Sequence, residues 1–163
     1  MMTDHRDFRT ALGRFVTGVT VITTLDAQGA PVGLTANSFN SVSLDPPMVL
    51  WSLARSSRNL AVFSEASHYA VNVLASDQRH LSDRFARPVA DRFAGVDWRA
   101  GRGGVPVLSG VTATFECRNT TRVDGGDHVV FLGAVEAFEG CDREPLIYHA
   151  GRYATPSYEI FSA

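Results

Sequence analysis

The residues best equipped for chemistry stand in one short run. From Gly33 to Pro47 the chain reads GLTANSFNSVSLDPP, where Thr35, Asn37, Ser38, Asn40, Ser41 and Ser43 each carry a hydroxyl or an amide. Thr35-Ala36-Asn37-Ser38 lies at the end of a β-rich run, where the chain turns. Small side chains at such a point let successive backbone N–H groups face outward as a nest for an anion. The Thr35 and Ser38 hydroxyls add donors. A dianionic phosphate also calls for a guanidinium in fork geometry, which Arg58 or Arg87 would supply. An ordinary polar turn uses the same residue types.

The theme recurs one strand later in WSLARSSRN. Ser52 and Leu53 are placed to present main-chain polar groups to a flat heteroaromatic ring. Ser56, Ser57 and Arg58 open a short helix, and a helix start attracts phosphate. A capped helix start with a solvated arginine accounts equally for these residues. In GGDHVVFLG, His128 follows a turn and precedes an apolar strand, a position from which it could stack on or hydrogen-bond a ligand. Arg152 and Tyr153, in the late GRY, either join such a site or simply pack and solvate.

Other chemistries are excluded. All 15 basic residues are arginines, so neither a Schiff-base lysine nor a phosphate-loop lysine exists. GRGGVP has Pro106 where a dinucleotide fingerprint requires its third glycine, and no strand-then-helix pattern surrounds it. The histidines 5, 68, 80, 128 and 149 show no metal-binding spacing. No G-x-S-x-G occurs, and Cys117 and Cys141 read as two free thiols.

The positioning elements follow from periodicity. The chain has 163 residues, 45% of them hydrophobic, with a net charge of -2. That predicts one domain over 1–163 with its own core. No basic stripe points to nucleic acid and no apolar run is long enough to cross a bilayer. The charged, polar N-terminus lacks the pattern of a signal peptide, so a cytoplasmic location is expected. DFRTALGRFVTG predicts a helix with Phe8, Ala11, Leu12, Phe15 and Val16 on one face and Gly18 as its stop. Two β-rich runs flank the turn Asp26–Gly29, and two more are broken by Asp45-Pro46-Pro47. A short helix capped by Ser56 or Ser57, a strand HYAVNVLA and a helix capped by Ser76 come next. An irregular glycine-rich stretch leads to a long hairpin around Asp124–Asp127. Six or so strands with few crossover helices predict a mainly β protein, an antiparallel barrel with peripheral helices.

Taken together, GVTVITT, GLTANSFNSVSLDPPMVLWSL, SSRNLAVF, YAVNVLA, LSDRFA, DRFAG and GDHVVFLGAV resemble the short-chain flavin reductases. These are the NAD(P)H:flavin oxidoreductase components of two-component monooxygenases. The resemblance runs from about Phe8 to Tyr153. It implies an FMN-binding split β-barrel, antiparallel and Greek-key-like, assembled as a homodimer. It also implies the reaction: NADH or NADPH gives hydride to FMN or FAD, and reduced flavin leaves for a partner flavin-dependent monooxygenase. By the same resemblance, Thr35, Ala36, Asn37 and Ser38 would contact the ribityl and phosphate portion, and Ser52 and Leu53 the isoalloxazine ring. Ser56, Ser57 and Arg58 would lie near the phosphate. Phe85, Ala86 and Arg87 would close over the flavin tail. His128 would meet the nicotinamide as the catalytic-site residue, with Tyr153 in the same pocket. The absence of a catalytic triad fits this reading, because flavin carries the hard chemistry and the protein must chiefly bind and orient. Two alternatives on the same scaffold are a non-catalytic flavin sensor or store, and an oxidase acting on a phosphorylated amine.

Overall fold

A computed structural model describes residues 4–158, so the two ends of the expected 1–163 domain lie outside it. Helix α1 (His5–Leu12) begins at Asp4, whose carboxylate accepts the Arg6 N–H, and ends at Gly13 rather than Gly18. Its Phe8 and Leu12 stay exposed, as do Phe15 and Val16 beyond its end, so the expected apolar face is uncovered. The strands β1 (Thr17–Gly18), β2 (Thr20–Leu25), β3 (Pro31–Ala36), β4 (Asn40–Leu44) and β5 (Pro47–Ala54) follow. Helix α2 (Leu60–Glu65) leads to β6 (His68–Val73), and a 3-10 turn at Ser76–Gln78 runs into α3 (Arg79–Ala86). Among the described residues β7 (Trp98–Ala100), β8 (Pro106–Leu108), the long pair β9 (Ala113–Gly125) and β10 (His128–Gly140), β11 (Ile147–His149) and β12 (Arg152–Ala154) come last.

The fold is mainly β and antiparallel. Seven strands form one sheet in the order β3-β2-β6-β9-β10-β5-β4, with β1-β11-β12 and β7-β8 as small satellites. The β7-β8 ribbon lies in the stretch expected to be irregular. There Pro106 opens a strand, a position that tolerates its missing N–H. The helix caps also differ from expectation. Asn59, not Ser56 or Ser57, precedes α2, while Ser57 Oγ accepts the Asn59 N–H. Ser76 does not cap; Gln78 Oε1 accepts the Ala75 N–H instead. The two predicted turns are present: Asp26 Oδ1 accepts the Gln28 and Ala30 N–H groups, and the β9–β10 turn closes at Gly125–His128.

One connection governs the shape. β3 and β4 are the two outermost strands, yet only Asn37, Ser38 and Phe39 join them. In a flat sheet these edges would stand roughly 29 Å apart, six spacings of about 4.8 Å. Four extended peptide steps reach only about 14 Å. The sheet must therefore curl until its edges approach. The core records this: Ile22 and Leu34 from one side share a buried cluster with Val49, Trp51 and Leu53 from the other. Trp51 stacks on Phe131 at 4.7 Å and meets Phe63 edge-on at 5.0 Å. Cys117 lies in this cluster, and burial pushes its thiol up to about 12. Cys141, the other free thiol, is exposed.

A second cluster, with Val21, Leu81, Phe85 and Phe93, seats α3 against the outer face of β2 and β3. Buried Asn72 closes the polar account between the sheet and the β7-β8 ribbon. Its Nδ2 donates to Val21 O at 3.0 Å and to Thr23 Oγ1 at 3.1 Å, and its Oδ1 accepts the Leu108 N–H at 2.8 Å. Asn72→Leu keeps the volume but strands the buried Leu108 N–H. It is expected to cost about 2 kcal/mol or more in urea unfolding; an unchanged midpoint would show that Leu108 finds another acceptor.

Candidate functional site

The turn that joins the sheet edges carries the candidate site. β3 is an edge strand, so the chain leaves Ala36 without a neighbour on its outer side. Two hydroxyls then fix the turn from within. Thr35 Oγ1 donates to Ser82 O at 2.7 Å, tying the strand end to α3. Ser38 Oγ accepts the Ser52 N–H at 2.9 Å and donates to Ser52 O at 3.1 Å, tying the turn to β5. These hydroxyl protons are thus committed inside the protein. What the turn offers outward is main chain: among the described residues, neither the Asn37 nor the Ser38 N–H meets a backbone or side-chain acceptor. Exposed Asn37 adds its amide.

A cavity of about 240 Å³ opens at this turn, lined by Thr35, Ala36, Asn37, Ala86 and Tyr153 together with Val19, Ser82 and Tyr148. Five of the residues singled out from sequence therefore share one cavity. The last three lining residues were not singled out. Ser82 stands in the LSDRFA run, but nothing in its neighbours says that it meets Tyr153. Tyr153 is held by its hydroxyl, 2.8 Å from Ser82 Oγ and donating to Asp83 Oδ1 at 3.3 Å. The Arg79 guanidinium lies 4.9 Å from its ring centre. Tyr148 meets the same ring edge-on at 5.5 Å.

The remaining predicted residues do not line this cavity, and His128 lines a separate groove rather than sharing the pocket of Tyr153. Phe85 is a core residue, packed edge-on to Phe93 at 5.0 Å, and it seats Ala86 and Arg87 rather than facing the cavity. Arg92, also missed from sequence, clamps this corner: it donates to Gly33 O at 3.1 Å and to Arg87 O at 3.0 and 2.9 Å. Arg58 and Arg87 are exposed, and no carboxylate pairs with either among the described residues. Ser56 and Ser57 precede α2. Leu53 points its side chain into the core and pairs its backbone with Val129, whereas Ser52 lies on the opposite face of β5 with its N–H and C=O both bonded to Ser38 Oγ. His128 stands across the ladder from Ala54, beside the Leu53–Val129 and Ser52–Val130 pairs. Its Nδ1 lies 2.7 Å from Asp127 Oδ1, and that hydrogen bond holds the Asp127 carboxyl below the usual range. A route of direct backbone pairing thus runs from His128 through β5 to the Ser38 clasp.

A flavin phosphate requires N–H donors and a guanidinium within reach of a flat-ring site. The free N–H groups at Asn37 and Ser38 fit the donor part of that requirement, and exposed Arg58 and Arg87, without a carboxylate partner among the described residues, are the guanidinium candidates.

Comparisons with known proteins identify a family. The flavin reductase like domain family matches residues 12–157. A Rhizobium meliloti (strain 1021) protein named "Probable flavin reductase" is 53% identical over 153 residues, 94% of this chain. The reductase component of the flavin-dependent trigonelline monooxygenase of Acinetobacter baylyi is 47% identical over 152 residues, 93% of this chain. The chain spans about half the length of both relatives, 49% of each. The solved structure of Streptomyces globisporus C-1027 NADH:FAD oxidoreductase SgcE6, in complex with NAD and FAD fragments, superposes with a TM-score of 0.89 at 35% identity. That likeness covers 96% of this chain and 97% of the other.

Gly33 is where α3 closes on the site. A β-carbon there would lie 2.7 and 2.9 Å from the Phe85 ring and 3.2 Å from Phe93. Gly33→Ala is expected to lower stability by about 1–3 kcal/mol through overpacking, read as a lower urea midpoint. A midpoint equal to the parent's would show that Phe85 yields without cost.

Proposed function

The chain belongs to the flavin reductase-like family, and from that premise we propose that it is an NAD(P)H-dependent flavin reductase supplying reduced flavin to a monooxygenase. The observation that carries the proposal is the Asn37–Ser38 turn, with free N–H groups opening beside Tyr153 and Ala86 in one cavity. The curled antiparallel sheet is read as the family's split, Greek-key-like β-barrel, whose slit is the β3–β4 connection. Exposed Val42 and Leu44 on edge strand β4 support assembly as a homodimer, since an uncovered apolar edge favours pairing.

Bound flavin would supply the hydride acceptor; the chain supplies binding and orientation. The Asn37 and Ser38 N–H groups, with Arg58 and Arg87, hold the phosphate and ribityl end. Ser52 and Leu53 line the ring, their backbone groups already committed to Ser38 and Val129 and so fixed in place. Tyr153, locked by Ser82 and Asp83, walls the cavity without reorganising. His128, held by Asp127, orients the nicotinamide so that its reacting carbon approaches within about 3–3.5 Å of the acceptor. No side-chain base is required, consistent with a site whose polar groups are mostly main chain.

The direct test mixes the protein with each flavin and each reduced nicotinamide and follows loss of dihydronicotinamide absorbance. Turnover with at least one pair is expected; inertness with all four would end the proposal. His128→Ala is expected to raise the nicotinamide KM about tenfold, the worth of one good hydrogen bond, with flavin affinity nearly unchanged. An unaltered KM would remove His128 from the site.

A further inference from the structure

Helix α1 presents an arginine face that the proposed reaction has not yet used. Residues 5, 8, 9 and 12 share one side of the helix by i, i+3, i+4 and i+7 spacing. With Asp127 and His128 opposite, they line a groove of about 740 Å³. Phe8 and Leu12 are exposed in it, giving an apolar wall against which a flat ring can lie. A second groove of about 450 Å³ adjoins, lined by Arg6, Arg9, Arg14, Gly13, Ala150 and Gly151, with His5 and Thr10 completing it. His5 and Arg9 belong to both grooves, so the two are continuous across α1.

The charges here are uncommitted. Among the described residues, no carboxylate lies within ion-pair distance of Arg6, Arg9 or Arg14, whereas Arg55, Arg79, Arg99, Arg118 and Arg143 each pair with one. Asp7 falls on the side of the helix opposite His5, Phe8, Arg9 and Leu12 by its spacing. The N-terminal end of α1 is not the attraction, since the Asp4 carboxylate already caps it. The ligand class indicated is an elongated one, with a flat ring at His128 and phosphates one groove away.

We propose that α1 binds the phosphates of the nicotinamide dinucleotide, with Arg9 on the diphosphate at the junction of the grooves and Arg6 and Arg14 toward the adenosine end. This rests on the flavin reductase reading, which sets the nicotinamide at His128. The planar guanidinium fork matches a phosphate bidentately, and its exposure makes the contact sensitive to salt.

The test uses ADP, the distal half of the dinucleotide, titrated calorimetrically into the flavin-free protein. Arg9→Gln is expected to weaken ADP about tenfold and raise the nicotinamide KM by a similar factor, with the flavin Kd unchanged. Arg143→Gln, which removes a guanidinium already paired with Asp77, should change neither. Added salt should weaken ADP binding to the parent more than to Arg9→Gln. No ADP binding by the parent, or equal affinity in Arg9→Gln, would overturn the assignment. The calorimetric readout needs neither flavin nor turnover. An enzyme that turns over but whose ADP affinity ignores Arg9 therefore refutes the role of α1 alone, and inertness with every flavin–nicotinamide pair refutes the reductase reading.

Discussion

Three residues join the two outermost strands of a seven-stranded sheet, and this constraint organises everything else. Asn37, Ser38 and Phe39 are too few to cross a flat sheet, so the sheet curls until β3 and β4 come near. Curling encloses the Trp51–Phe131–Phe63 cluster, and the gain from burying those rings holds the curl in place. The same short connection then lies at the slit between the edges, where its N–H groups have no strand to pair with. A requirement of chain geometry thus leaves two N–H groups without acceptors at the surface, on a turn fixed from within by the Ser38–Ser52 and Thr35–Ser82 bonds.

The division of labour between hydroxyl and backbone follows from that position. A free hydroxyl could bind phosphate directly, but it would rotate. Ser38 instead spends both its donor and an acceptor site on Ser52, which stiffens the turn and leaves the Asn37 and Ser38 N–H groups to face outward. Tyr153 is treated alike: Ser82, Asp83 and Arg79 hold its ring before any ligand arrives. Preorganisation of this kind lowers the ordering cost of binding. Arg92 extends the scheme outward by fixing Arg87 against Gly33 through backbone carbonyls alone.

Much of this was legible in the chain because it depends on local signals. The β-rich runs TVITTL and HYAVNV, the Asp26–Gly29 and Asp124–Asp127 turns, and the Pro46-Pro47 break each announce themselves within a few residues. The short polar run from Thr35 to Ser38 marks the candidate site for the same reason. What escaped was long-range or local competition. Tyr153 meets Ser82 across the fold, and Arg92 reaches Gly33; no spacing reveals either. Phe85 looks like a ligand contact beside Ala86, but its burial against Phe93 makes it the support for a cavity-lining residue. Helix α1 ended early because Gly13 stops it before the apolar Phe15 and Val16 can join the helical face.

The account stands or falls on whether the main chain at the slit grips flavin. Amide NMR of the labelled protein during titration with FMN and with FAD reads this directly. The Asn37 and Ser38 N–H resonances should move together and saturate with the same affinity as flavin binding seen by fluorescence. Flavin that binds while both resonances stay in place would contradict it.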